Sequence, residues 1–194
     1  MNLTIGNKVA GWLIWSDFLL QSGWGLIGPI FAIFIEKHIH GGLPVIGFIA
    51  ASFWITKSFL QPFLAEYFDS VRGERDDFRF LIGGMLVANL VPLGYIFSTQ
   101  IWQLFTLEVV RGMAMACVIP SWYAIFTRHI TKGREAFEWS LDSTAIGLSA
   151  GLAAMFGGII GAAFGFSTLF VLVTMFGLSA TYAMWHIRSS LQEI

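Results

Sequence analysis

The sequence predicts an all-α membrane protein of six transmembrane helices, and three observations predict it. Of its 194 residues 56% are hydrophobic and 12% charged, about half the charged share of an ordinary soluble domain. The apolar residues arrive in blocks of about twenty, the length a helix needs to cross a hydrocarbon core. Short polar joints separate the blocks, and in lipid an open sheet edge would leave backbone groups unbonded, so the blocks are helices. The formal charge of -1 says little alone, because in a membrane protein the side on which each charge lies is what counts.

The spans fall at about residues 11 to 35, 44 to 67, 80 to 97, 102 to 126, 140 to 163 and 166 to 186, in a single domain over 1–194. Before the first, "MNLTIGNKVAGW" holds one lysine and leads into a long apolar run with no small-x-small cleavage site, so it reads as a retained span. That span carries Asp17, Gln21 and Pro29, and the joint "HIHGGLP" ends it. The second carries Lys57, Gln61 and Pro62 and runs into "AEYFDSVRGERDDFR", where eight of the chain's charged residues crowd into positions 65–79. The third, with Pro92, ends at "STQ". The fourth holds Glu108, Arg111, the single Cys117 and Pro120, and a charged connection over 127–139 leads to the fifth. The fifth begins near Asp142, is rich in glycine, and meets the sixth at "FGFS". With one cysteine no internal disulfide forms.

An even number of spans places both termini on one side. Lys8, Arg72, Arg75, Arg79, Arg128, Lys132, Arg134 and Arg188 then share that side and Lys37 lies opposite, and a basic excess of this kind marks the cytoplasm. The expected setting is a bacterial or archaeal inner membrane with cytoplasmic termini. The crowded segment also holds five acids, Glu66, Asp69, Glu74, Asp76 and Asp77, which suits salt bridges and helix caps at that end; a solvated turn is the plainer alternative.

A shift of the sequence by 91 places lays Asp17 on Glu108, Pro29 on Pro120, Lys37 on Arg128, His38 on His129, Ile39 on Ile130 and Gly42 on Gly133. Three spans separate the copies, so they run in opposite directions, as in an inverted three-plus-three repeat with halves at about 1–97 and 98–194.

"PFLAEYFDSVRGERDDFRF" resembles the loop between the second and third spans of the major facilitator superfamily, a Gly-x-Leu-Ala-Asp pattern followed by a basic, Gly-containing turn. Leu64, Ala65 and Glu66 match its Leu-Ala-Asp part, and Arg72, Gly73, Arg75 and Arg79 its turn, with Pro62 in place of the first Gly. "GLIGPIFAIFI" is similar to the family's first span and "RGMAMACVIPSWYAIFTRH" to its fourth, where Glu108 stands at the family's usual arginine and Arg111 lies beside Gly112. "GLSAGLAAMFGGIIGAAFGFSTLF" is similar to its fifth, with Leu152 where the antiporter version has proline. The resemblance implies a fold equivalent to one six-span half of that superfamily and a secondary transporter working by alternating access, with spans one, two, four and five lining the pathway. A parallel homodimer would rebuild the usual twelve spans. A separately encoded second half, or an accessory subunit that lost the pathway, are the alternatives.

Charges inside hydrocarbon are costly and rarely face lipid. Asp17, Lys57, Glu108 and Arg111 fall inside spans, and Gln21 and Gln61 extend the same faces by one helical turn. These six are the candidate substrate- or proton-binding residues, each carboxylate being either a protonatable group in a wet cavity or half of a structural ion pair. Glu108 and Arg111, three apart, are neighbours on one face, and the depths of Asp17 and Lys57 match, so these two can pair if their helices face each other. Glu66, Asp69, Arg72, Arg75, Arg79 and Asp142 are the candidate gating residues. Trp102, Trp139 and Trp185 lie at span ends, where aromatic residues settle at the interface; for Trp24, Trp54 and Trp122 core packing is favoured over ligand stacking. Gly147, Gly151, Gly157, Gly158 and Gly161 suit close helix approach.

His38, His40, His129 and His186 flank spans without metal-ligand spacing, and no nucleophile elbow or phosphate loop is present. No cofactor, metal or catalytic group is expected, and scattered loop arginines do not suit nucleic acid. The expected partners are a small-molecule substrate, membrane lipid and a second copy of the chain.

Overall fold

The computed structural model describes residues 6–70 and 74–191. Among them the chain is entirely helical apart from its joints: α1 (Lys8–Ile27), α2 (Phe31–His38), α3 (Leu43–Ser70), α4 (Arg75–Ile96), α5 (Ile101–His129) and α6 (Glu135–Trp185), closed by a 3-10 turn (His186–Ser190). Five helical stretches are long and apolar enough to cross a membrane, with α1 and α2 counted as one.

The first stretch is broken where the sequence requires it. Pro29 has no N–H to offer the carbonyl four residues back, and the backbone passes through Gly28 N–H to Trp24 O (3.0 Å) and a tighter Ile30 N–H to Ile27 O bond (2.9 Å) before α2 begins. Pro62, Pro92 and Pro120 lie inside continuous helices. Two helix starts are capped by their own side chains. Asn7 Oδ1 accepts from Val9 N–H (2.8 Å), and Gln103 Oε1 accepts from the N–H groups of Thr99 (2.7 Å) and Gln100 (2.9 Å), satisfying donors that have no partner in the first helical turn.

The 51 residues of α6 would reach about 76 Å if straight, far beyond a hydrocarbon core of about 30 Å. They do not run straight. Gly165 has φ 80° and ψ 173°, a conformation open in practice to glycine alone, and there the chain doubles back. Neighbouring glycines of α1 show it: a Cβ on Gly25 would press on Ala150 and Ala153, and one on Gly23 on Val173 and Phe176. In an unbroken helix Ala150 and Val173 would stand about 34 Å apart. The first arm, up to Phe164, runs alongside α1, and the second, from Phe166, returns antiparallel to it.

Two apolar cores fill the bundle. One joins Val9, Leu13, Phe78, Leu81, Ile125, Phe126 and Met184 near the charged end; the other joins Leu26, Phe34, Ile49, Tyr95, Leu104, Leu169 and Phe170 towards the opposite end. Buried hydrogen bonds tie the second arm of α6 to its neighbours. Asn89 Nδ2 donates to Gly177 O (2.9 Å) and to Thr181 Oγ1 (3.2 Å), and Ser16 Oγ donates to Ala180 O (3.0 Å). Lacking a Cβ, Gly84 lies directly on Ala114 and Val118, and Gly157 on the backbone of Leu26. Close packing of small residues, the main source of helix association in lipid, thus acts at Gly157 and Gly161. Gly147, Gly151 and Gly158, expected to do the same, meet nothing within 4 Å.

Candidate functional site

The start of α1, the start of α4, the α5–α6 connection and the final 3-10 turn meet at one end of the bundle, which carries Lys8, Arg75, Arg79, Arg128, Lys132, Arg134 and Arg188 among the described residues. Ion pairs clasp it. Asp77, buried at the head of α4, binds Arg128 at the end of α5, and Glu74 lies 3.4 Å from His129 Nδ1. Glu138, fully buried, accepts from the Thr131 N–H (3.1 Å).

Of the residues expected to gate this end, Arg79 pairs with Asp76 (3.6 Å) on its own helix and is exposed. Arg75 is exposed as well, as are Glu66 and Asp69 at the end of α3, and Arg72 lies outside the described residues. Asp142 is buried, 5% exposed, with Oδ1 lacking a hydrogen-bond partner among the described residues. The clasp therefore joins α4 to α5 through Glu74, Asp77, Arg128 and His129. Asp77 sits in the charge-dense segment and Arg128 and His129 are the repeat partners of Lys37 and His38, but their mutual contact depends on helix rotation, which sequence does not give.

Deeper in the bundle, α1, α3, α4 and α5 enclose a cavity of about 560 Å³ that opens at the surface of the chain. Gln21, Lys57, Glu108 and Arg111 line it together with Trp24, Phe31, Phe53, Trp54, Tyr95 and Met115. Lys57 lies at the midpoint of α3, and Gly28, at the break between α1 and α2, also lines the cavity. Gln61 and Asp17 do not line it.

Glu108, 1% exposed, spends its oxygens within the protein: Tyr95 Oη donates to Oε1, and Arg111 reaches both oxygens through Nε (3.2 and 3.1 Å) and a second guanidinium nitrogen. The Arg111 guanidinium also lies over the rings of Phe53 (3.6 Å to the centroid) and Trp24 (4.5 Å). A fork held by two rings and a carboxylate is well anchored. Spacing shows the Glu108–Arg111 neighbourhood; it does not show Tyr95, thirteen residues away on another helix.

Lys57 and Asp17 do not pair. The Lys57 ammonium lies 4.2 Å above the Trp54 ring and forms no ion pair with a carboxylate of the described residues, while the charged neighbour of Asp17 is Asp142 across the α1–α6 contact. Equal depth set their height but not their direction around the helix. Trp122 is core, stacked on Phe126 (4.6 Å), whereas Trp24 and Trp54, expected there too, face the cavity. Among the described residues no group of three or more His, Cys, Asp or Glu converges as a metal site.

A family model of the Major Facilitator Superfamily matches residues 13–191, nearly the whole chain and every cavity-lining helix. The chain belongs to that superfamily. Major facilitator superfamily members are membrane transporters of small solutes, not enzymes, so this chain is an integral membrane protein of a transporter family. A search among curated proteins finds no match.

Proposed function

We propose that the protein is a secondary active transporter of a small solute, working by alternating access with proton or cation coupling, and assembled as a parallel homodimer. The reversal at Gly165 makes two spans of α6, six in all, and the repeat that aligns Asp17 with Glu108 relates them as three plus three. The charged end faces the cytoplasm, in line with the positive-inside bias.

The observation that carries this reading is the cavity. Polar and charged side chains from separate helices converge at mid-depth beside a broken helix, the usual setting of a transporter's binding site. An ionisable group at that depth is costly unless it has a role or a partner. The cavity lies open on one flank, and a second bundle is needed to enclose it. Exposed apolar residues line α3 (Phe48, Trp54, Ile55, Phe59, Phe63) and the first arm of α6 (Leu148, Leu152, Met155, Phe156, Ile159). The bare glycine face of Gly147, Gly151 and Gly158 lies on that same arm and lets another helix come close. A second copy related by an axis along the membrane normal supplies the missing wall.

Asp17 is the proposed coupling carboxylate, Gln61 extends the polar face of α3 towards the charged end, and Asp142, with the clasp residues, belongs to the gate. The test is uptake into liposomes with an imposed proton gradient, using a broad solute panel. Asp17→Asn is expected to abolish accumulation against a gradient while the protein still elutes as a folded species. Absence of both solute and proton flux from folded protein across the panel would overturn the reading.

One observation favours a second reading, a non-transporting accessory subunit or half of a heterodimer. Glu108 is so fully engaged by Tyr95 and Arg111 that it acts as a packing element. For an accessory subunit Asp17→Asn changes stability alone; for half of a heterodimer a different six-span partner co-purifies.

A further inference from the structure

Charge bookkeeping within the cavity leaves one cation over. Glu108 and Arg111 neutralise each other, and Glu108 has no oxygen left for a third partner. Lys57 lines the same cavity with no carboxylate in reach among the described residues; it rests on the Trp54 ring, with Arg111 as its charged neighbour. A cation–π contact offsets only part of what an ammonium loses on leaving water, about 0.5–2 kcal/mol, and a second cation nearby adds repulsion. The cavity is thus electropositive, and an anion entering it gains what no protein group supplies. The rest of its lining is largely apolar, with Ile27 and Phe31 towards one end and Met115 and Ile119 towards the other, and 560 Å³ lies within the range of small organic ligand sites.

From this arrangement we infer that the cavity binds a small organic anion, a carboxylate with an apolar body. The charge meets Lys57, Gln21 supplies a neutral hydrogen bond, and the body lies against the apolar part of the lining. The inference rests on the transporter reading only for its purpose, since the binding itself needs no translocation.

The experiment is equilibrium binding by calorimetry to the full chain in phosphatidylcholine nanodiscs. Benzoate, phenylacetate and hexanoate are each compared with the amide of the same shape. A charge-assisted hydrogen bond is expected to favour at least one carboxylate over its amide by about tenfold or more. Lys57→Gln removes that preference and Lys57→Arg keeps it. If no carboxylate outbinds its amide on the unmodified protein, or if the preference survives Lys57→Gln, the inference fails, and the first of these holds whether or not the variants fold. An anionic lipid headgroup offers the same chemistry, so the titration is repeated with phosphatidylglycerol in the discs. Unchanged carboxylate affinity supports a solute site, and loss of it assigns Lys57 to lipid and overturns the proposal. Carboxylate binding without flux in liposomes removes transport and leaves this inference standing; flux of neutral or cationic solutes with no carboxylate preference does the reverse.

Discussion

Glu108 and Arg111 each depend on the other, which makes their pairing measurable. Arg111→Gln strands a carboxylate that is 1% exposed, and breaking a buried pair from one side costs about 3–5 kcal/mol. Adding Glu108→Gln removes the stranded charge, so the double variant is expected to recover most of that loss in thermal unfolding in detergent. Two adjacent glycines give a second test. A Cβ on Gly84 would sit 2.7 Å from the Ala114 carbonyl oxygen, whereas one on Gly83 meets nothing within 4 Å. Gly84→Ala is therefore expected to cost about 1–3 kcal/mol through overpacking, and Gly83→Ala to be neutral or to gain up to about 1 kcal/mol of helix propensity. Unfolding midpoints of the two variants, measured side by side, check the contrast. In the sequence these glycines are indistinguishable. The Glu108–Arg111 contact was legible because i and i+3 share a helical face; Tyr95 and the true neighbours of Asp17 and Lys57 were not, because the rotation of each helix is set by packing against the others.

The helices themselves were legible almost throughout, since an apolar run of span length has no other way to satisfy its backbone in lipid. Their irregularities were less so. Pro29 interrupts its helix and Pro62, Pro92 and Pro120 do not, a difference that depends on what else reaches the freed carbonyl. "FGFS" was legible as a joint, but not that its turn consists of one residue. Gly165→Ala places a Cβ on a backbone with φ 80° and ψ 173°, strain of about 1–3 kcal/mol. A lowered melting temperature is expected without loss of helix content by circular dichroism. An unchanged melting temperature would show that the turn relaxes to an ordinary conformation.

For the whole molecule, the decisive question is what covers the open flank of the cavity. With Cys117 replaced by Ser, cysteines at Phe59 on α3 and Met155 on α6, both exposed, are expected to cross-link between copies in native membranes, and a cysteine at Tyr182 on the second arm of α6 is not. A ladder confined to monomer would remove the homodimer and leave the family assignment intact. The crowding of basic residues at one end was legible from their spacing between the spans, whereas the clasp of Asp77 on Arg128 needed the three-dimensional meeting of two helix ends. The hairpin at Gly165 bears on any such assembly. A bend with no spare residues joins its two limbs into one lever. The outer limb bears the glycine face left bare within the chain, and the inner is bolted to α1 and α4 through Ser16, Asn89 and Gly177. A push from a neighbouring bundle on the outer limb would therefore reach the helices that wall the cavity twice, directly where Gly157 lies on Leu26 of α1 and again through the inner limb.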